Sequence, residues 1–217
     1  MSDLLRKITA LEEQKKNHKR VNVYLDGRYA FGLQAMLAAT LRVGQMLSPE
    51  EIAQLQERDL VEVAHDRALS FLTYRPRSRA EMEAYLQRRK VTPDVIQTVI
   101  GRLLEAGLLD DEAFAKYWVE NRELFRPRGP HSLRFELWRK GVADAIISDA
   151  LEDIDETKSA YQAARRKART MRSLDRETFR RRLGGFLQRR GFSYDTVKET
   201  VDRLWRELQA SAGEDLS

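Results

Sequence analysis

A chain of 217 residues with 42% hydrophobic content can build one large domain or several small ones, and a charged fraction of 34%, against roughly 25% in an average globular chain, favours an elongated array with much surface. No cysteine is present, which excludes disulfides, thiol nucleophiles and thiolate metal sites, and no run of about 18 apolar residues or signal-like N-terminal core occurs, so a soluble cytoplasmic protein without membrane spans is expected. The 39 Lys and Arg exceed the 34 Asp and Glu, and a net charge of +5 makes polyanions or acidic protein surfaces the expected partners.

The first sixty residues read as β structure followed by a helix. Val21, Val23 and Leu25 alternate with polar residues, Asp26 and Gly27 offer a two-residue hairpin turn, and Tyr29, Phe31 and Leu33 return on the far side. Ile8 to Leu11 offers a third strand. Ser48, Pro49 and Glu51 supply a cap, a proline at the first helical position and a capping box for a helix to about residue 58. A small domain over 1–60 is expected.

Beyond it the pattern turns helical. A helix over about 62–74 ends before Pro76, because the residue preceding a proline is pushed out of helical space, and Ser78 with Glu81 opens the next one. Asp110 caps a helix carrying Phe114, Tyr117, Trp118 and Leu124, which Pro127 and Gly129 close. A long basic helix over about 156–173 has few large apolar residues, and it is expected to pack least tightly. Residues 209–217 read as a flexible tail.

These helices repeat. Segments 82–103, 133–154 and 183–204 align without gaps at offsets of 51 and 50 residues. Apolar residues coincide at six positions: Met82, Leu133 and Leu183; Leu86, Leu137 and Leu187; Val91, Val142 and Phe192; Ile96, Ile147 and Val197; Ile100, Leu151 and Val201; Leu103, Ile154 and Leu204. Any two amphipathic helices can be slid into apolar register, but here the punctuation coincides as well. Arg88–Arg89, Arg139–Lys140 and Arg189–Arg190 precede Lys90, Gly141 and Gly191, and Arg75-Pro76-Arg77 recurs as Arg126-Pro127-Arg128. Gly141 and Gly191 stand where a left-handed residue after a helix is wanted, and Lys90 replaces glycine there at about 1 kcal/mol. The fold class is therefore mainly α: three tandem three-helix, helix-turn-helix-like repeats over 61–109, 110–154 and 155–208, after the N-terminal β-hairpin and helix domain.

Catalytic chemistry finds no support. His18, His65 and His131 lie far apart and in no metal-ligand spacing, and Asp110, Asp111 and Glu112 open a helix where negative charge favours the dipole. No phosphate loop occurs, so no cofactor, metal or catalytic residue is expected. The cations say more. Between 165 and 190, eleven Lys and Arg face only Asp175 and Glu177, a local excess of nine. A basic pair at a helix end complements the dipole, yet a pair at one repeat position in every copy makes a spaced cationic track whose arginine forks suit phosphates and carboxylates. Trp118, Trp138 and Trp205 are assigned to the core, with Trp138 beside Arg139 as a second candidate for stacking on a partner.

The stretches YRPRSRAEMEAYLQRRKV, LLEAGLLDDEAFAKYWVENR and RPRGPHSLRFELWRKGVADAIISDAL, with the N-terminal ITALEEQKKNHKRVNVYLDGRYAFGL, resemble the RecX family of bacterial recombination regulators over nearly the whole chain. Lys90 departs from the family's usual glycine, and the RPR turn becomes Arg176, Glu177 and Thr178 in the third copy. The resemblance implies a regulator that lodges along the RecA recombinase filament; a non-enzymatic monomer is expected, with single- or double-stranded DNA as a further candidate partner. It would restrain recombination, DNA repair and the SOS response. Arg75, Arg77, Arg88, Arg89, Arg126, Arg128, Arg139, Lys140, Arg189 and Arg190 are the candidate contacts. A stand-alone DNA-binding module is the alternative. Asp94, Asp149, Glu152 and Asp202 on the third helices would face phosphates poorly.

Overall fold

The computed structural model describes residues 5–214, with side chains described to residue 210. It is mainly helical, with three units of helix-turn-helix type after a small strand region. The chain divides into two compact units, 1–75 with 82–108 and 76–81 with 109–217.

In the first unit, β1 (Arg6–Gln14), β2 (Asn17–Leu25), β3 (Arg28–Gln34) and β4 (Met46–Leu47) form an antiparallel sheet in the order β3-β2-β1-β4. The β2–β3 turn has positive φ at both central residues, 50° at Asp26 and 79° at Gly27, the twist that suits a tight hairpin. Asp26 also ties the turn to β1. Its carboxylate accepts the Lys7 amide at 3.0 Å and Arg6 Nε at 3.0 Å, and these bonds hold the carboxyl below its ordinary pKa. Ile8, Val23, Leu25, Phe31 and Leu33 bury one face of the sheet with Ala38 of the short α1 (Ala35–Ala38), Leu47 and Leu55.

The expected helices to about 58 and over 62–74 are one helix, α2 (Pro49–Leu72), opened by the Ser48–Glu51 capping box. Residues 58–61 contain neither Pro nor Gly, so nothing breaks the hydrogen-bond ladder between the two stretches. Leu55 serves the sheet core, whereas Val61, Ala64 and Ala68 are buried further along the same helix. Asp59, 11% exposed at its side chain, fastens α2 to the sheet: it accepts Arg20 at 2.8 and 3.3 Å and the Gln34 amide at 2.6 Å. α3 (Arg79–Gln87) and α4 (Pro93–Glu105) complete the first three-helix unit.

In the second unit, α5 (Asp111–Phe125), α6 (Pro130–Trp138) and α7 (Asp144–Glu152) enclose Phe114, Ala115, Val119, Leu133, Leu137, Val142, Ile147 and Leu151. Asp110 caps α5 by accepting the amides of Glu112 at 2.8 Å and Ala113 at 3.0 Å. Asp110→Ala is expected to lower stability by about 1 kcal/mol, read as a shifted urea midpoint with an unchanged slope.

The last three-helix unit is α8 (Glu156–Arg169), α9 (Arg176–Gln188) and α10 (Tyr194–Glu214). α8 is not loose, contrary to its composition. Ala160, Ala164 and Ala168 lie on one face and are fully buried against a core that includes Phe179, Leu183, Leu187, Val197, Val201 and Leu204. Small side chains let the helix backbone come close, so burial here is achieved without large residues. α10 continues into the stretch read as a tail as far as Glu214, and residues 215–217 lie outside the described residues. Of the eighteen matched repeat positions, all but Val91 and Ile154 are buried, and those two are half-buried.

Candidate functional site

The basic pairs follow helix two of each copy, at the ends of α3, α6 and α9, and their two members behave differently. The first members, Arg88, Arg139 and Arg189, are exposed. The second members each fold onto an aromatic ring, Lys140 and Arg190 half-buried and Arg89 still exposed. Arg89 lies over the Tyr85 ring at 3.7 Å, and Tyr85 is itself stacked on Phe71 at 3.9 Å. Arg190 lies over Phe186 at 4.6 Å and donates from Nη1 to the Pro127 carbonyl at 3.0 Å. Lys140 donates to Glu81 at 2.7 Å and sits 4.0 Å from the Trp118 ring centroid. In two copies the cation folds back four residues onto an aromatic, a spacing at which helical side chains meet. Both members of each pair are equal candidates in the sequence; in the structure the second and third copies expose one cation each, and the first copy exposes both.

The same corner makes a recurring joint inside the second unit. The Lys140 carbonyl accepts Ser78 Oγ at 2.6 Å, and the Arg190 carbonyl accepts the Gly129 amide at 2.9 Å. Ser78 and Gly129 are equivalent repeat positions, 51 residues apart. Gly141 (φ 75°) and Gly191 (φ 81°) then lie against Ala80 and Ser132, where a Cβ on either glycine would collide. Lys90 adopts the same left-handed conformation, with φ 60°, but is exposed. The first copy has no preceding repeat to receive this corner, so backbone conformation alone is asked of Lys90.

The RPR segments are partly enlisted too. Arg128 pairs with Glu136 at 3.0 Å, while Arg126 is exposed and Arg75 and Arg77 are half-buried. Burial, together with the nearby charges of Arg128 and Arg126, pushes the Arg190 guanidinium below its ordinary pKa. These three arginines, drawn from two copies, therefore converge. The 165–182 run stays outside: Arg165, Arg166, Lys167, Arg169, Arg172, Arg180, Arg181 and Arg182 are exposed, and none forms an ion pair with a described residue.

Trp138 is a correction. It is 61% exposed and stacks on Phe135, itself 55% exposed, whereas Trp118 and Trp205 are half-buried against their cores. The carboxylates at the start of α5 act structurally, Asp110 as cap and Asp111 as acceptor of the Arg79 amide at 2.9 Å. Among the described residues no group of three or more His, Asp or Glu could hold a metal ion, and no helix is long and apolar enough to cross a membrane.

Family models cover this architecture segment by segment. The regulatory protein RecX N-terminal domain matches residues 6–48, and the first, second and third RecX three-helix domains match 64–103, 110–151 and 154–201. The chain belongs to the RecX family. Regulatory protein RecX of Bacillus subtilis (strain 168) is 34% identical over 202 residues, spanning 91% of this chain and 76% of that protein. Regulatory protein RecX of Chlorobium phaeobacteroides (strain BS1) is 36% identical over 143 residues, 66% of this chain and 94% of that protein. The crystal structure of regulatory protein RecX superposes with a TM-score of 0.72 at 27% identity, covering 91% of this chain and all of that one. RecX membership gives the chain a regulatory role.

Proposed function

We propose that this chain modulates a RecA-type recombinase by binding along the recombinase–DNA filament and restraining it, thereby regulating recombination, DNA repair and the SOS response. It would act in the cytoplasm as a monomer and without catalysis of its own. The observation that carries this reading is the recurrence of an exposed first member, Arg88, Arg139 and Arg189, at one repeat position in each copy. A filament is periodic, and several weak contacts at repeat spacing add through effective concentration where one alone would not hold.

The test compares retention on bare single-stranded DNA with retention on recombinase-coated DNA. Stronger retention on coated DNA supports the filament reading. The exposed cations of 165–182 favour a second reading, plain nucleic-acid binding, which predicts equal or stronger retention on bare DNA with a steep salt dependence. Under the filament reading, Arg88→Glu, Arg139→Glu and Arg189→Glu together are expected to weaken coated-DNA binding about tenfold, equivalent to roughly 1.4 kcal/mol, at an unchanged melting temperature. Retained inhibition of recombinase ATPase by that triple variant would remove the track from the interface.

A further inference from the structure

The outer face of α6 carries side chains that the three-helix core does not use. His131, Arg134, Phe135 and Trp138, with Arg139 just beyond the last turn, recur at the spacing that shares one helix face, and all are exposed. Leu133 and Leu137, on the opposite face, are fully buried. The Phe135 and Trp138 rings stack with centroids 6.0 Å apart and planes 25° apart, and the Arg139 guanidinium lies 5.9 Å from the Phe135 centroid. The repeat itself does not ask for these rings. Ala84 and Gly185 align with Phe135, and Gln87 and Gln188 align with Trp138, so the pair belongs to the second copy alone. Large aromatics standing together in water without a packing role mark interaction sites.

The neighbourhood points to the class of partner. Arg134 reaches Ser148 Oγ at 3.2 and 3.3 Å, and it lines a shallow cavity together with Asp149 and Glu152. Arg134, on the same face as the rings, shares that cavity with two carboxylates that repel a phosphate backbone, and an aromatic and arginine centre bordered by mixed charge is the anatomy of a protein–protein hot spot.

We infer that Phe135 and Trp138 are the anchor of a protein-docking site, entering an apolar pocket of the partner while Arg139 meets carboxylates at that pocket's edge. The inference rests on the filament reading above, under which the partner is a recombinase protomer.

The experiment measures retention of the full chain and of the Phe135→Ala, Trp138→Ala double variant on recombinase-coated and on bare single-stranded DNA. Thermal melting verifies the fold, and Phe135→Tyr with Trp138→Phe serves as the conservative variant. The expected result is at least a tenfold loss on coated DNA for the alanine variant, no change on bare DNA, an unchanged melt, and retention near wild type for the conservative variant. Wild-type retention by the alanine variant overturns the docking site and leaves the filament reading standing. An equal loss on bare DNA assigns the rings to base stacking instead and overturns the docking site also. No preference of the wild-type chain for coated DNA overturns the filament reading, and the docking site with it.

Discussion

Gly141→Val is expected to lower the stability of the second unit by about 3 kcal/mol, while Lys90→Gly at the matching repeat position raises stability by up to about 1 kcal/mol. Both residues have positive φ, 75° and 60°, so conformation alone would make the two sites equivalent. What separates them is the joint. A side chain at 141 meets Ala80, in a corner already tied by the Ser78 hydroxyl to the Lys140 carbonyl, and a β-branched residue at positive φ adds backbone strain to that collision. Lys90 meets nothing comparable, so glycine there only relieves strain, partly offset by a freer unfolded chain. Intrinsic fluorescence follows the first variant well, because Trp118, Trp138 and Trp205 all lie within the second unit. Backbone circular dichroism follows the second. A urea midpoint for Gly141→Val no lower than that of an ordinary surface substitution would show that the joint carries no energy.

The second large effect is expected at Glu136→Ala, a loss of about 2 kcal/mol. The Glu136 carboxylate, 16% exposed, accepts Trp118 Nε1 at 2.8 Å and Arg122 Nε at 2.8 Å and pairs with Arg128 Nη1 at 3.0 Å. Around the same indole stand two cations, Arg122 at 4.4 Å and Lys140 at 4.0 Å from the ring centroid. Removing the carboxylate leaves partly buried positive charge with less compensation, which costs more than the lost bonds themselves. The partial exposure of Arg122 and Arg128, 25% and 38%, keeps the figure below that of a fully buried pair. Glu136→Gln retains an acceptor and is expected to lose about half as much. An alanine variant with the wild-type urea midpoint would remove Glu136 from the account of stability.

The hairpin was legible because Asp26-Gly27 is specific turn chemistry, and the repeat because six apolar positions and their punctuation recur together. The structure buries all of those positions but the half-buried Val91 and Ile154, and gives Lys90, Gly141 and Gly191 the left-handed backbone read from their place after a helix. The junction near residue 60 was not legible as a continuous helix, since a change of composition mimics a boundary when no breaker is present. Pairings such as Arg20 with Asp59 and Ser78 with Lys140 join residues 39 and 62 apart, and no local pattern announces them.

The site was legible in its positions and not in its division of labour. A local signal existed in two copies: Tyr85 and Phe186 precede Arg89 and Arg190 by one helical turn and place those second cations on an aromatic face, whereas in the second copy Glu136 holds that position. Trp138 was misassigned by residue type, although its phase relative to Leu133 and Leu137 places it on the outer face of α6.

The unbroken α2 also has a mechanical meaning. At about 1.5 Å per residue, its 24 residues form a rod roughly 36 Å long, gripped by the sheet through Asp59 and Leu55 and packed further along through Ala64 and Ala68. A helix seated in this way resists bending far more than a loop would. The β-hairpin and the helices packed along α2 are therefore joined by a stiff element rather than a hinge.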